Sequence, residues 1–155
     1  MFWFDPKGSR EFFAPERCPV FIWENQPGRF FYGFPDLGEG VKIGVHHHGE
    51  MTQPERVRRD VAPGEIERAQ QLLAQHLPLA AGSLRSATVC LYTNTPDEHF
   101  LLDYYPACPQ VVIASPCSGH GFKFSPVIGE IAAAMLRNES VKFDLGLFKI
   151  SRLLK

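Results

Sequence analysis

Two lysines sit in apolar surroundings that lysine rarely occupies. Lys42 lies between Val41 and Ile43 with Gly40 and Gly44 just outside, and Lys123 lies between Phe122 and Phe124. An ammonium group is seldom buried without a partner, so each either snorkels to solvent or faces a cavity that holds an anion. The segment SGHGFKFSP, 118–126, places Gly119, His120 and Gly121 just ahead of Ser125, at the expected N-cap, and Pro126, at the expected first helical residue. A helix N-terminus aimed into a glycine-containing loop is a cradle for a negatively charged or electron-rich ligand, and the alternative is a plain left-handed turn before a helix. Phe124 stands where a third glycine of GxGxxG would be, and the chain contains neither a Walker A sequence nor a GxSxG elbow. Cys18, Cys90, Cys108 and Cys117 match no zinc-ligand spacing and form no CxxC pair, so on spacing alone they read as separate thiols or small buried apolar side chains. On a strand, His46 and His48 of the run His46–His48 would share a face. Two imidazoles without a carboxylate or cysteine at fixed spacing make no metal set, and no metal is expected.

These groups need elements to hold them. Short aromatic runs such as VFIWE and RFFYGF, broken by Pro and Gly, read as strands joined by tight turns, and VKIGV alternates Val41, Ile43 and Val45 against Lys42 and Gly44. The expected strands are 1–5, 20–24, 29–34, 41–48, 87–94 and 98–103. Between Pro63 and His76 the period changes, with Ile66, Ala69, Leu72, Leu73 and Leu77 recurring at three and four residues. That predicts an amphipathic helix over 64–77, started by Pro63 with Glu65 and Glu67 near its positive end and stopped by Pro78. VVIAS, from 111, reads as a short apolar strand leading through the glycine loop into a helix that begins near 126 and closes the segment 111–137. The fold class is α+β: a mostly antiparallel sheet with a packed helix, then a strand, loop and helix.

Composition excludes several function classes. The chain has 155 residues, 45% of them hydrophobic, which suits one ordinary folded domain rather than a disordered segment. Lys plus Arg number 16 against 17 Asp plus Glu, a formal net charge of -1, so neither nucleic acid nor an anionic membrane is an expected partner. No apolar run approaches the roughly 20 residues that span a bilayer. The N-terminus, MFWFDPKGSREFF, lacks the pattern of a secretory signal, which gives a cytoplasmic expectation.

The blocks YGFPDLGEGVKIGVHHHG, VCLYTNTPDEHFLLDYYP, VVIASPCSGHGFKFSPVIGEI and FDLGLFKISR, in that order along the chain, resemble the monomeric sarcosine oxidase and N-methyltryptophan oxidase family. These are FAD-dependent amine oxidases of the D-amino-acid oxidase superfamily. The resemblance runs from about Met1 to Arg152 and covers the C-terminal two-fifths of such an enzyme. The glycine-rich GxGxxG unit that holds the FAD pyrophosphate in the family does not occur in the chain. By resemblance, 1–105 is expected to be part of a substrate domain and 106–155 the last segment of an incomplete FAD domain.

The resemblance also implies roles. Cys90 matches the cysteine that links the flavin covalently. Lys42 matches the lysine that promotes reaction of the reduced flavin with oxygen, and Lys123 one that pairs with the substrate carboxylate. Tyr32, His46 and Tyr92 match side chains lining the pocket over the flavin ring. Gly119, His120, Gly121 and Phe122, with Lys123, match the loop beside the flavin pyrimidine edge, while Cys117 departs from the aromatic or aliphatic residue usual there. The implied reaction is oxidation of a secondary amine to an imine, with oxygen reduced to hydrogen peroxide. Two alternatives stay open at this point: an inactive fragment that binds no flavin alone, and one subunit of a split oxidase completed by a separately encoded N-terminal half. Without such a half to cover it, the apolar strand 111–115 favours a homo-oligomer of the chain alone.

Overall fold

The computed structural model describes residues 1–154, and its chain divides into two compact units, Met1–Cys90 and the residues from Leu91 onward. The expectation of an α+β fold built on antiparallel pairing is met in both.

In the first unit, β1 (Phe2–Phe4), β2 (Phe21–Gln26), β3 (Arg29–Phe34), β4 (Val41–Val45) and β5 (Leu84–Ala87) form an antiparallel sheet in the order β2-β3-β4-β1-β5. Alternation sorts the side chains onto two faces. Phe4, Phe31, Val41 and Ile43 are fully buried on the inner face. Helix α1 (Pro63–His76) belongs to the same core through Ala69 and Leu73, while its last residue, His76, packs against Trp23 and Phe31 with ring centroids 5.3 and 5.2 Å apart. Burial of each large apolar side chain here contributes about 1.5–3 kcal/mol. The helix starts at Pro63, as its sequence requires, and the Glu65 carboxylate accepts the Ala62 amide at 2.7 Å and, on both of its oxygens, the Arg58 Nη2 group at 3.0 Å. The Ala62 amide, followed by the Arg58 guanidinium, holds the Glu65 carboxyl below its ordinary range.

The β3–β4 connection is organised by one carboxylate. Asp36 is buried, and its side chain accepts the amides of Gly38 (2.8 Å) and Gly40 (2.9 Å) and the Arg10 Nε–H (2.6 Å), while its own amide donates to the Phe13 carbonyl (2.7 Å). Gly40 is required here, because its φ is +94° and a Cβ would meet the Phe4 carbonyl oxygen at 2.7 Å.

In the second unit, β6 (Leu101–Tyr105) and β7 (Cys108–Ser115) make an antiparallel hairpin, and helix α2 (Ser125–Leu136) packs Ile131 and Met135 against Leu102. Tyr104 donates its hydroxyl to the Met135 carbonyl at 2.7 Å, tying hairpin to helix. Among the described residues no helix is long and apolar enough to cross a membrane.

Several expected boundaries move, each for a local reason. The strand expected over 87–94 does not form. β5 occupies Leu84–Ala87 instead; just beyond it Thr88 exchanges two hydrogen bonds with Met1, its amide donating to the Met1 carbonyl at 2.9 Å and its carbonyl accepting the Met1 ammonium at 2.8 Å, and farther on the Ser118 amide donates to the Thr93 carbonyl. The strand expected over 98–103 begins only at Leu101, because 95–100 is a turn in which Glu98 has φ 58° and the Thr95 hydroxyl donates to the His99 carbonyl at 2.6 Å. The strand expected over 41–48 stops at Val45, and His47 turns away at φ 46°. Ser125 lies inside α2 rather than at its cap: its hydroxyl donates to the Phe122 carbonyl at 2.8 Å, and the 3-10 turn Phe122–Phe124 separates the glycine loop from the helix.

Burial alone would push the Asp36 carboxyl up, but the Gly40 and Gly38 amides together with Arg10 hold it below its ordinary range. A carboxyl depressed on folding binds fewer protons in the native state, so its contribution is complete above the unfolded value near pH 4 and is lost as pH falls through the folded value. Acid unfolding followed by circular dichroism should show the Asp36→Asn variant losing stability less steeply than wild type below about pH 4. At pH 7 the same variant should be less stable by about 1–3 kcal/mol in urea titration, because an amide cannot satisfy all three donors.

Candidate functional site

In the first unit, the outer face of the sheet gathers several of the residues singled out from the sequence. The register places Lys42 directly opposite Trp3 on β1 and directly opposite Phe34 on β3. Its Nζ stands 5.2 Å from the Trp3 ring centroid and 4.9 Å from that of Phe34. Tyr32, opposite Gly44, extends the same face, with its ring at right angles to Phe34 (6.2 Å) and to His46 (6.4 Å). A Cβ on Gly44 would meet the Tyr32 hydroxyl at 2.5 Å, so glycine is what lets that ring lie across the strand. His46 stacks on His47 at 4.1 Å because the strand has ended, so His46 and His48 are not the same-face strand pair that alternation suggested.

Among the ion pairs of the described residues none involves Lys42. Of the two readings open for this lysine, the structure shows a partly buried ammonium between aromatic rings. An open groove of about 490 Å³ continues from Trp3 along Glu39, Arg85, Ser86, Ala87 and Thr88. Cys90 follows two residues later with its side chain exposed.

In the second unit, the glycine loop is shaped by left-handed residues: Ser118 has φ 50° and Gly119 φ 77°. Ser118 is buried, its amide donates to the Thr93 carbonyl at 2.9 Å, and its hydroxyl accepts the Thr95 amide at 3.3 Å. Gly121 approaches the Pro116 carbonyl so closely that no Cβ fits. His120 stacks on Phe100 at 4.7 Å, with Nδ1 2.8 Å from the Ser118 carbonyl oxygen. Phe122 is 95% exposed, and Lys123, also exposed, holds its Nζ 5.4 Å from the Phe124 ring. The amides of Gly119 and Gly121 take part in no hydrogen bond among the described residues, which leaves two donors on the loop. Tyr92 is half-buried on the segment that leads to Thr93 and Thr95. Cys18 is buried and its thiol is pushed up by desolvation, whereas Cys108 and Cys117 are half-buried.

Residues that sequence reasoning did not single out complete the picture. Trp3 and Phe34 reach Lys42 from neighbouring strands, and only strand register could have found them. In the second unit, Arg152 donates through Nε to Asp97 (2.6 Å) and through its Nη2 group to the carbonyls of His99 (3.2 Å) and Phe100 (2.8 Å). The Arg152 contact, with smaller help from the His99 amide and the Thr95 hydroxyl, sets the Asp97 carboxyl well below the usual carboxylate range. The distinctive TPDEHF and FKISR blocks therefore bind each other.

The chain is similar to known proteins along nearly its whole length. A family model for FAD dependent oxidoreductases matches residues 1–135. Monomeric sarcosine oxidase of Streptomyces avermitilis is 38% identical over 157 residues, covering 99% of this chain and 41% of that enzyme. N-methyl-L-tryptophan oxidase of Salmonella newport is 37% identical over 152 residues, covering 97% of this chain and 40% of that enzyme. The chain thus spans about two-fifths of the length of the curated relatives it matches. In fold it is similar to the crystal structure of fructosyl amine:oxygen oxidoreductase (Amadoriase I) from Aspergillus fumigatus, with a TM-score of 0.71 at 22% identity, covering 96% of this chain and 36% of that one. The family model and the aligned relatives together show that the chain belongs to the FAD dependent oxidoreductase family.

Proposed function

We propose that this chain supplies the C-terminal catalytic portion of an FAD-dependent oxidase that converts a secondary amine, sarcosine or another N-alkyl amino acid, to an imine with production of hydrogen peroxide. The names of its relatives, monomeric sarcosine oxidase and N-methyl-L-tryptophan oxidase, support the substrate class. The structural observation that carries the reading is the outer sheet face on which Lys42 stands between Trp3 and Phe34 without a carboxylate, beside Tyr32 and His46. On this reading 1–105 belongs to the substrate domain and 106–155 to the FAD domain.

The residues present fit one part of a flavin site. Cys90 offers an exposed thiol for a covalent thioether, the groove beside Trp3 is open, and the loop carries the unpaired amides of Gly119 and Gly121 beside His120, Phe122 and Lys123. FAD, when bound, supplies the acceptor for the hydride equivalent and its delivery to oxygen. Lys42 acts as a fixed positive charge where negative charge develops on oxygen, an effect several times stronger in a water-poor site than in bulk water. Lys123 binds the substrate carboxylate by a charge-assisted hydrogen bond, and within the first unit Tyr32 and His46 shape the space beside Lys42. The amides of Gly119 and Gly121 donate to electron-rich atoms at the loop. The chain contains no GxGxxG, so the pyrophosphate is held by a half that carries that motif.

Complementation with the GxGxxG-bearing N-terminal half of a related sarcosine oxidase tests this directly. Amine-dependent peroxide production, with flavin recovered on the Cys90 peptide and on no other cysteine, is the expected result. Absence of both, or flavin mapped to Cys108 or Cys117, overturns it. In that enzyme Lys42→Met should slow the oxygen half-reaction by about 100-fold or more in stopped-flow measurements while the amine half-reaction changes little. Lys123→Ala should raise KM for carboxylate-bearing substrates roughly tenfold or more. Purified without that half, the chain should be colourless and self-associating, since Val111 on β7 is 45% exposed. A monomeric yellow protein with one flavin per chain would contradict that expectation.

A further inference from the structure

Lys42 raises a question that its proposed role does not answer: what keeps a flexible four-carbon side chain in one place when no carboxylate anchors it. An ion pair is the usual device, but a carboxylate within contact distance would cancel most of the field that the ammonium presents to anything else. Three features show a different device. Antiparallel register sets Trp3 and Phe34 directly opposite Lys42 on the two flanking strands, so both rings rise from the same sheet face as the lysine. The ammonium is within cation–π range of both rings, at 5.2 and 4.9 Å. Lysine, Trp3 and Phe34 are all partly buried, which strengthens such contacts relative to a solvated surface.

From this we infer that Trp3 and Phe34 are positioning residues that clamp the Lys42 ammonium between two aromatic faces, holding the cation in place while leaving its charge uncancelled. A ring quadrupole attracts the cation without adding a compensating negative charge, so the clamped group still presents a full unit charge to an anionic or electron-rich group on that face. The inference deepens the proposed role of Lys42 and rests on it for the purpose of the clamp. The ring contacts themselves are measurable on this chain alone.

Competitive acylation with trace acetic anhydride, read by peptide mass spectrometry, compares the reactivity of Lys42 with that of exposed Lys7 in the same molecule. Lys42 should react more slowly than Lys7 in wild type. Trp3→Leu and Phe34→Leu should each raise its relative rate roughly threefold, the scale of one exposed cation–π contact. Trp3→Phe, which keeps a ring, should stay near wild type. An unchanged Lys42 rate in both leucine variants overturns the inference. A second measurement alters neither ring: the chain has two tryptophans, so Trp23→Phe leaves Trp3 as the sole tryptophan, excited at the red edge where the tyrosines do not absorb. Lys42→Met on that background should shift Trp3 emission where Lys7→Met does not, and an equal response to both substitutions also overturns the clamp. If the clamp responds and complementation yields no oxidase, the oxidase reading fails and the clamp stands; the reverse pattern sinks the clamp alone.

Discussion

The first unit depends on the solvation of one buried carboxylate. Removing Asp36 from water costs several kcal/mol unless donors replace the lost hydration. Gly38, Gly40 and Arg10 are those donors, and each comes from a segment whose path the sheet needs fixed. The two glycine amides close the loop between β3 and β4, and Arg10 with the Phe13 carbonyl brings the N-terminal 3-10 segment onto it. The loop fixes where β4 begins against β3. A slip of one residue would turn Lys42 inward and Val41 or Ile43 outward, so the chemistry of the outer face rests on a hydrogen-bonding requirement met some distance from it.

On that outer face, magnitudes decide between two ways of holding a cation. Two unit charges 4 Å apart interact by about 4 kcal/mol near a protein surface, enough to hold the group and to neutralise it together. A cation over an aromatic ring gains about 0.5–2 kcal/mol and keeps its charge. Where a site must stabilise charge that appears only during a reaction, the weaker restraint serves better, because the field is already oriented when it is needed.

The sequence made some of this legible and hid the rest. Alternation in VKIGV was enough to turn Lys42 away from Val41 and Ile43, and the three-four period from Ile66 to Leu77 with Pro63 and Pro78 at its ends was enough for α1. The strand over 87–94 misled because ATVCLYT has strand composition, yet the ladder with β1 reaches only Ala87, opposite Phe2, and LRSA, with little β character, takes most of that pairing instead. Propensity describes a pleated surface, and tertiary pairing decides who occupies it. Trp3 and Phe34 were plain aromatic residues in the sequence, since cross-strand opposition is not written in local spacing. The family resemblance named Cys90, Lys42 and Lys123, but the work of TPDEHF became visible only when Arg152 was seen to grip it.

That grip has an evolutionary consequence. Asp97 and Arg152 stand 55 positions apart, yet one guanidinium serves both the carboxylate and two backbone carbonyls of the same turn. Loss of Asp97 alone would leave a cation facing carbonyls with its countercharge gone, and loss of Arg152 alone would leave the turn that precedes β6 to its own hydrogen bonds from Thr95, Glu98 and His99. The two blocks should therefore drift as a couple: a lineage that relaxes one motif is released to relax the other.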